Sequence, residues 1–330
     1  MKNKSTFWPV LVLLLLSPIC GELLSGSSPP GEFFSVFTLF LIAMYGCAAV
    51  VIRELIHRWG KGGISLILLG FAYGIFEEGI AVRSFFDPAW VDLGVFSTYG
   101  RWAGVNWFWA LDLTLFHGII SIAVPVTLVE LLFPHQAERA WLGRTGMILC
   151  TLLSAATAVF GPLVGMKANG WMLLGSVGVM ALLYFTAKHL PEPGIRNVRP
   201  ARPIVIGMAA AGGMLLLLIV MWVLPSAQPG TAHLPASFTL AATLLVGLLG
   251  LAAYVLLPVH PWTKAQRLAW AAGSLSIWIL LSVVQQLNNA SRPDDTAGMA
   301  YVGLAFIILL IGLAAGIRKQ DRRNTAGESV

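Results

Sequence analysis

Apolar residues arrive in this chain in blocks of about 20, separated by short polar or Pro/Gly-rich breaks, and a helix of that length crosses a bilayer core. Lipid offers no partner for unpaired backbone groups, so each block must close its own hydrogen bonds as a helix. The chain is therefore expected to be an all-α polytopic integral membrane protein with about ten transmembrane helices. Composition agrees: of 330 residues 57% are hydrophobic and 11% charged, against roughly 25% charged in a soluble domain. The spans are placed at 6–24, 33–52, 63–83, 105–132, 145–163, 170–187, 203–225, 236–258, 268–288 and 299–317.

Charge sets the orientation. With the N-terminus in the cytoplasm, all but four of the 21 Lys and Arg residues fall on inner segments, the exceptions being Arg83, Arg101, Lys167 and Arg292. One missed helix would invert everything after it and spoil the pattern. Ten spans with both termini cytoplasmic therefore satisfy the positive-inside rule. The net charge of +6 has the same origin. Basic residues, among them Lys2, Lys4, Arg196 and Arg199, sit in short runs between apolar blocks rather than in one patch, which argues against nucleic acid as a partner. No phosphate-binding loop, dinucleotide glycine pattern or haem attachment motif is present. Cys20, Cys47 and Cys150 are odd in number and lie in apolar stretches, as packing residues do.

The first span resembles a signal peptide in that Lys2 and Lys4 precede an apolar run, but no A-x-A site follows. Ser17-Pro18-Ile19-Cys20 has the outline of a lipoprotein box, with Ile19 too large before the cysteine. The segment is read as an uncleaved first helix, with cleavage as the alternative. Short loops and the lack of other targeting signals point to a prokaryotic cell (cytoplasmic) membrane.

Polar residues divide the chain. Residues 1–135, helices one to four, carry Glu22, Glu54, Glu77, Glu78, Asp112 and Glu130 within or beside the membrane. Residues 136–330, helices five to ten, form a supporting bundle; helix nine ends in the amide-rich Gln285-Gln286-Leu287-Asn288-Asn289. An ionised carboxylate at membrane depth costs at least about 2.5 kcal/mol, so Glu77 and Glu78 need partners or a purpose. Gly70, Gly74 and the two glutamates share a helical stripe, and the GxxxG allows a close neighbour. His117 lies mid-way along helix four, on a face with Asn106, Leu113 and Ser121; Pro125 frees the Ser121 carbonyl. Glu22, Glu77, Glu78, Asp112 and His117 are expected to form one polar pocket opening to the outer face, with Arg83 at its rim. Glu54–Arg58 is expected to pair i,i+4 at the inner side, and Glu130 to pair with a loop base. The aromatic-rich outer loop 84–104 suits an interfacial anchor.

Glu77-Glu78 followed by Arg83, with His117 on the next helix, resembles the motifs of CAAX-protease and bacteriocin-processing (CPBP) intramembrane proteases. The resemblance implies that a glutamate and a histidine activate water, with or without a metal. It makes Glu77 or Glu78 the base, and His117 with Glu78 ligands to a divalent metal such as zinc. The pattern also departs from that family. Arg83 stands one residue further from the glutamates, Leu113 replaces a phenylalanine four before the histidine, and no second membrane histidine follows. His57, His135, His189, His233 and His260 all fall in loops or at helix ends.

Three functions fit these residues. In a membrane-embedded hydrolase of a peptide or lipid near the outer leaflet, Glu77, Glu78, His117 and Arg83 act in catalysis, and the pocket excludes the C-terminal half. In a proton-coupled transporter, Glu77 and Glu78 take the proton, Glu22, Asp112 and Asn106 relay it, and Gln285–Asn289 joins a path to the cytoplasm. In a non-catalytic membrane partner or lipid-binding protein, substituting the glutamates harms assembly alone.

Overall fold

The computed structural model describes residues 5–192, 200–223, 234–257, 261–291 and 294–327. Lys2, Lys4, Arg196, Arg199, His233, His260 and Arg292 lie outside the described residues. Ten apolar helices stand where the sequence places them: α1 (Phe7–Leu23), α2 (Phe37–Trp59), α3 (Gly63–Ala81), α4 (Trp107–Leu132), α5 (Arg144–Leu163), α6 (Gly170–His189), α7 (Pro203–Val223), α8 (Ala236–Leu256), α9 (Lys264–Leu287) and α10 (Met299–Gly327). Nine of them, among the described residues, are long and apolar enough to cross a membrane. The exception is α1, whose run from Phe7 to Leu23 reaches only about 26 Å at 1.5 Å per residue. The chain is a multi-pass α-helical membrane protein.

The helices are not equivalent. In their most apolar stretches α3 and α4 are 72% and 78% buried, whereas α6, α7 and α8 are each 11% buried. The acidic helices are thus the interior of the bundle, and the later ones carry exposed Leu, Val, Ile and Phe outward as a lipid-facing coat. Helix α1 belongs to the interior: Leu13, Cys20 and Leu24 are fully buried. A Cβ on Gly46 of α2 would run into the backbone of Leu14, so α1 and α2 meet backbone to backbone there. Gly273 of α9 meets the Gly207 carbonyl of α7 in the same way.

At the inner end the expected Glu54–Arg58 pair is present at 3.0 Å, within a larger knot. Arg53, 1% exposed, reaches Glu130 at 3.2 Å, donates to the carbonyls of Ala137 and Arg139, and lies 3.9 Å from the Trp141 ring. Glu130 also pairs with Arg267 of α9, and Glu54 accepts the Trp141 N–H at 2.8 Å. Every charge here has a partner, which is the condition for burying it.

The loop 84–104 folds as a cap on the outer end. Phe85, Phe86, Leu93 and Phe96 are buried, and only Trp102 and Trp107 project as expected of an interfacial belt. A two-residue antiparallel hairpin, β1 (Arg101–Trp102) with β2 (Val105–Asn106), is the small exception to an all-helical chain among the described residues.

Candidate buried Glu–His site

Small residues bring α3 and α4 together. A Cβ on Gly70 would stand 2.6 Å from the Gly118 carbonyl, and one on Gly74 3.2 Å from the His117 Cβ. The GxxxG stripe therefore faces α4 at the level of its histidine. Each of the four inner helices then carries a π-helical turn: Ile19–Leu23 with Glu22, Ile42–Gly46 with Tyr45, Phe76–Ala81 with Glu77 and Glu78, and His117–Ala123 with His117 and Ser121. A π turn accommodates an extra residue and re-aims the side chains around it, and such turns are frequent at functional sites.

The two adjacent glutamates both point inward, because protein surrounds α3 at this depth. Glu77 is 1%, Glu78 8% and His117 3% exposed. The imidazole lies between the carboxylates: Nε2 is 3.2 Å from Glu78 Oε1, and Nδ1 is 3.2 Å from Glu77 Oε2. Nδ1 is hydrogen-bonded to Ser121 Oγ at 3.0 Å, and Glu77 Oε2, though close, accepts no hydrogen bond. A second ring of groups fixes the first. Ser84 donates to Glu78 Oε2 and accepts from the Trp109 indole at 3.0 Å. Tyr45 stands 5.8 Å ring-to-ring from His117 and donates to Glu22, which also takes the Ser28 hydroxyl at 2.9 Å. The Tyr73 ring is 6.3 Å from His117, and its buried hydroxyl lies beside Glu77 without a well-aligned hydrogen bond. As Pro125 implies, the Ser121 carbonyl is free of the helix ladder; the Ser17 hydroxyl of α1 donates to it at 2.7 Å.

Of the residues the sequence points to, Glu77, Glu78 and His117 converge, and Glu22 joins through Tyr45. The others do not. Arg83 sits at a left-handed φ of 69° just past α3, donates to the Met166 carbonyl at 3.2 Å, and forms no ion pair with either glutamate. Its unwound backbone turns the side chain toward the α5–α6 connection. Asn106 is a helix cap: it accepts the Trp109 N–H at 3.0 Å and donates to the Phe96 carbonyl at 2.8 Å, tying down the outer cap. Asp112 lines a separate small cavity with Trp222 and Trp278. The three site side chains are enclosed rather than set in an open outward mouth. The helix α9 amides touch only the edge of this region. Gln285 donates to the Ser25 carbonyl beyond Glu22 at 2.6 Å, while Gln286 and Asn289 hold the α9–α10 connection. Tyr45, Tyr73 and Ser84 are missing from the sequence reading. A tyrosine inside an apolar span is a signal that finds the first two; Ser84 depends on a turn that no pattern announces.

Ligand atoms of Glu77, Glu78 and His117 lie within 4.8 Å of one another. Tetrahedral ligation at 2.0–2.1 Å sets ligand atoms roughly 3.3 Å apart, so small rotamer shifts bring the three onto one ion. Carboxylate and imidazole donors suit a borderline divalent metal, and His117 with Glu78 as ligands leave coordination positions open beside Glu77. The free Glu77 Oε2 and the hydrogen-bonded support of Glu78 by Ser84 and Trp109 both fit such a group.

A family model described as an uncharacterized membrane protein family matches residues 11–320. No curated protein and no solved structure gives a match.

Proposed function

The chain belongs to this membrane protein family, and we propose that it is a membrane-embedded hydrolase of a peptide or lipid, with Glu77, Glu78 and His117 as its metal-binding reaction centre. The convergence of those three side chains in one buried volume carries the reading. His117 and Glu78 would hold the metal, which would supply Lewis acidity. Glu77, with an uncommitted oxygen, takes the proton from the attacking water. The Tyr73 hydroxyl donates to the oxygen on which negative charge develops. Ser84 and Trp109 fix the Glu78 carboxylate, and Ser121 fixes the imidazole. The surrounding bundle excludes bulk water, which strengthens each of these interactions.

One observation favours a second reading. An imidazole between two carboxylates, with a tyrosine leading to a third, is also a chain of proton donors and acceptors suited to a proton-coupled transporter. Metal analysis separates the two. Protein purified without chelator is compared with His117→Ala and Glu78→Gln. A stoichiometric divalent ion, lost in both variants while both still fold, supports the hydrolase. An ion-free native protein overturns it, and proton uptake by liposomes containing the native chain or Glu77→Gln then tests the transporter.

A further inference from the structure

Away from the Glu–His site, two cavities join along α7. At the inner face a cavity of about 740 Å³ is lined by Arg53, His57, Lys61, Glu138, Glu192 and Arg267, among others. It shares Tyr254, Trp262 and Trp270 with an apolar groove running up between α7 and α8 past Met214 and Leu217. The groove itself is shallow, about 90 Å³ on the same measure, and is open along its side rather than enclosed. Gly213 and Gly250 leave that space: a Cβ on either would meet nothing within 4 Å. Both α7 and α8 belong to the lipid-facing coat, so the groove opens sideways to the bilayer.

The polarity of this tract changes once along its length, as that of a lipid does. In the mouth, Arg53 and Arg267 are occupied by Glu130. Lys61, held only by the Leu190 carbonyl, and His57 form no ion pair among the described residues, and neither does Glu138. One cation, Lys61, and two carboxylates, Glu138 and Glu192 (the latter accepting only the Gly62 N–H at 2.8 Å), remain without an ion pair among the described residues, which suits a headgroup that carries an ammonium as well as a phosphate. At the junction the buried Trp262 Nε1–H has no partner, although indole donors in such positions usually find one. The Trp262 ring borders both cavities, so a small shift of its neighbours opens this donor to an ester or phosphate oxygen.

We propose that this tract binds an inner-leaflet zwitterionic phospholipid of the phosphatidylethanolamine type. One acyl chain lies in the α7–α8 groove, the ester region at Trp262, the phosphate at Lys61 and the ammonium at Glu138. The site is independent of the Glu–His centre.

The test is photolabelling of the full chain in bilayers by a phosphatidylethanolamine with a diazirine at one acyl end. Label is expected on the α7 and α8 peptides, reduced about tenfold in Gly213→Leu and Gly250→Leu. Gly175→Leu on α6, where a Cβ also meets open space, leaves it unchanged. Lys61→Glu, outside the packed groove, lowers labelling even if the glycine variants fold poorly. Label spread over α6 as densely as over α7 and α8 overturns the proposal. So does label that survives in folded glycine variants, or equal labelling by an otherwise identical phosphatidylglycerol.

Discussion

A buried carboxylate in a membrane is held by whatever donates to it, and Ser84 illustrates how much rests on one hydroxyl. Ser84→Ala removes a donor from Glu78 and the acceptor of the Trp109 indole. Leaving buried groups unpaired costs about 1–3 kcal/mol, and loss of such a supporting partner lowers metal affinity about 10–100-fold. Competitive chelation of the purified variant should show that loss, whereas a purely structural Ser84 would lower the melting temperature alone. The inner knot offers a matched contrast. Arg53→Met leaves Glu130 with Arg267 alone and strands the carbonyls of Ala137 and Arg139, and breaking a buried pair costs up to about 3–5 kcal/mol. Arg58→Ala, on a side chain 44% exposed, should cost under about 1 kcal/mol. Thermal melts in detergent will rank the two, and equal melts would remove the knot from the account of stability. At this scale the sequence was readable wherever burial cost speaks: Glu77, Glu78, His117 and the Glu54–Arg58 pair are anomalies in apolar text. It set Arg83 at the pocket rim and Asn106 in a relay, but it did not foresee the chain reversal at Arg83 or the cap at Asn106, because neither geometry has a hydropathy signature.

Helices are the scale at which sequence spoke most clearly, since the length of an apolar block is set by bilayer thickness and not by neighbours. Their ends agree within a few residues, apart from α2, which begins later at Phe37 and runs on to Trp59, and α10, which continues past 317 to Gly327. Hydropathy does not report where the helical ladder loosens, so the four π turns that aim Glu22, Tyr45, Glu77, Glu78 and His117 were not foreseen. The GxxxG stripe was legible because absence of a side chain is itself a signal. It yields a clean prediction. Gly70→Val forces a methyl-bearing carbon to within 2.6 Å of the Gly118 carbonyl and wedges α3 from α4, whereas Gly175→Val meets open space. The first variant should lose about 1–3 kcal/mol or more and release metal even when folded; the second should match the native melt. Indistinguishable melts for the two would mean that α3 and α4 do not meet at these glycines.

The arrangement of the whole molecule follows from one asymmetry: charges that need partners gather in α1 to α4, and helices that need none surround them. Orientation in the membrane rests on a separate asymmetry, the concentration of Lys and Arg on one side, which membrane insertion reads directly. Cysteine labelling tests it, and the native chain provides a silent background because Cys20, Cys47 and Cys150 are all buried. Trp102 in the outer hairpin is 73% exposed, and Lys319 near the end of α10 is exposed as well. In intact cells a membrane-impermeant maleimide should label Trp102→Cys at once and Lys319→Cys only after permeabilisation. The reverse pattern would turn the bundle over and move the phospholipid tract to the outer leaflet. Labelling of both in intact cells would require an even number of crossings between them. The five helices α4, α6, α7, α8 and α9 are each long enough to span, and so are α5 and α10. Since α5 and α10 also lie between the two sites, only an even total, six or eight, keeps them on one side, and seven crossings place Trp102 and Lys319 on opposite faces.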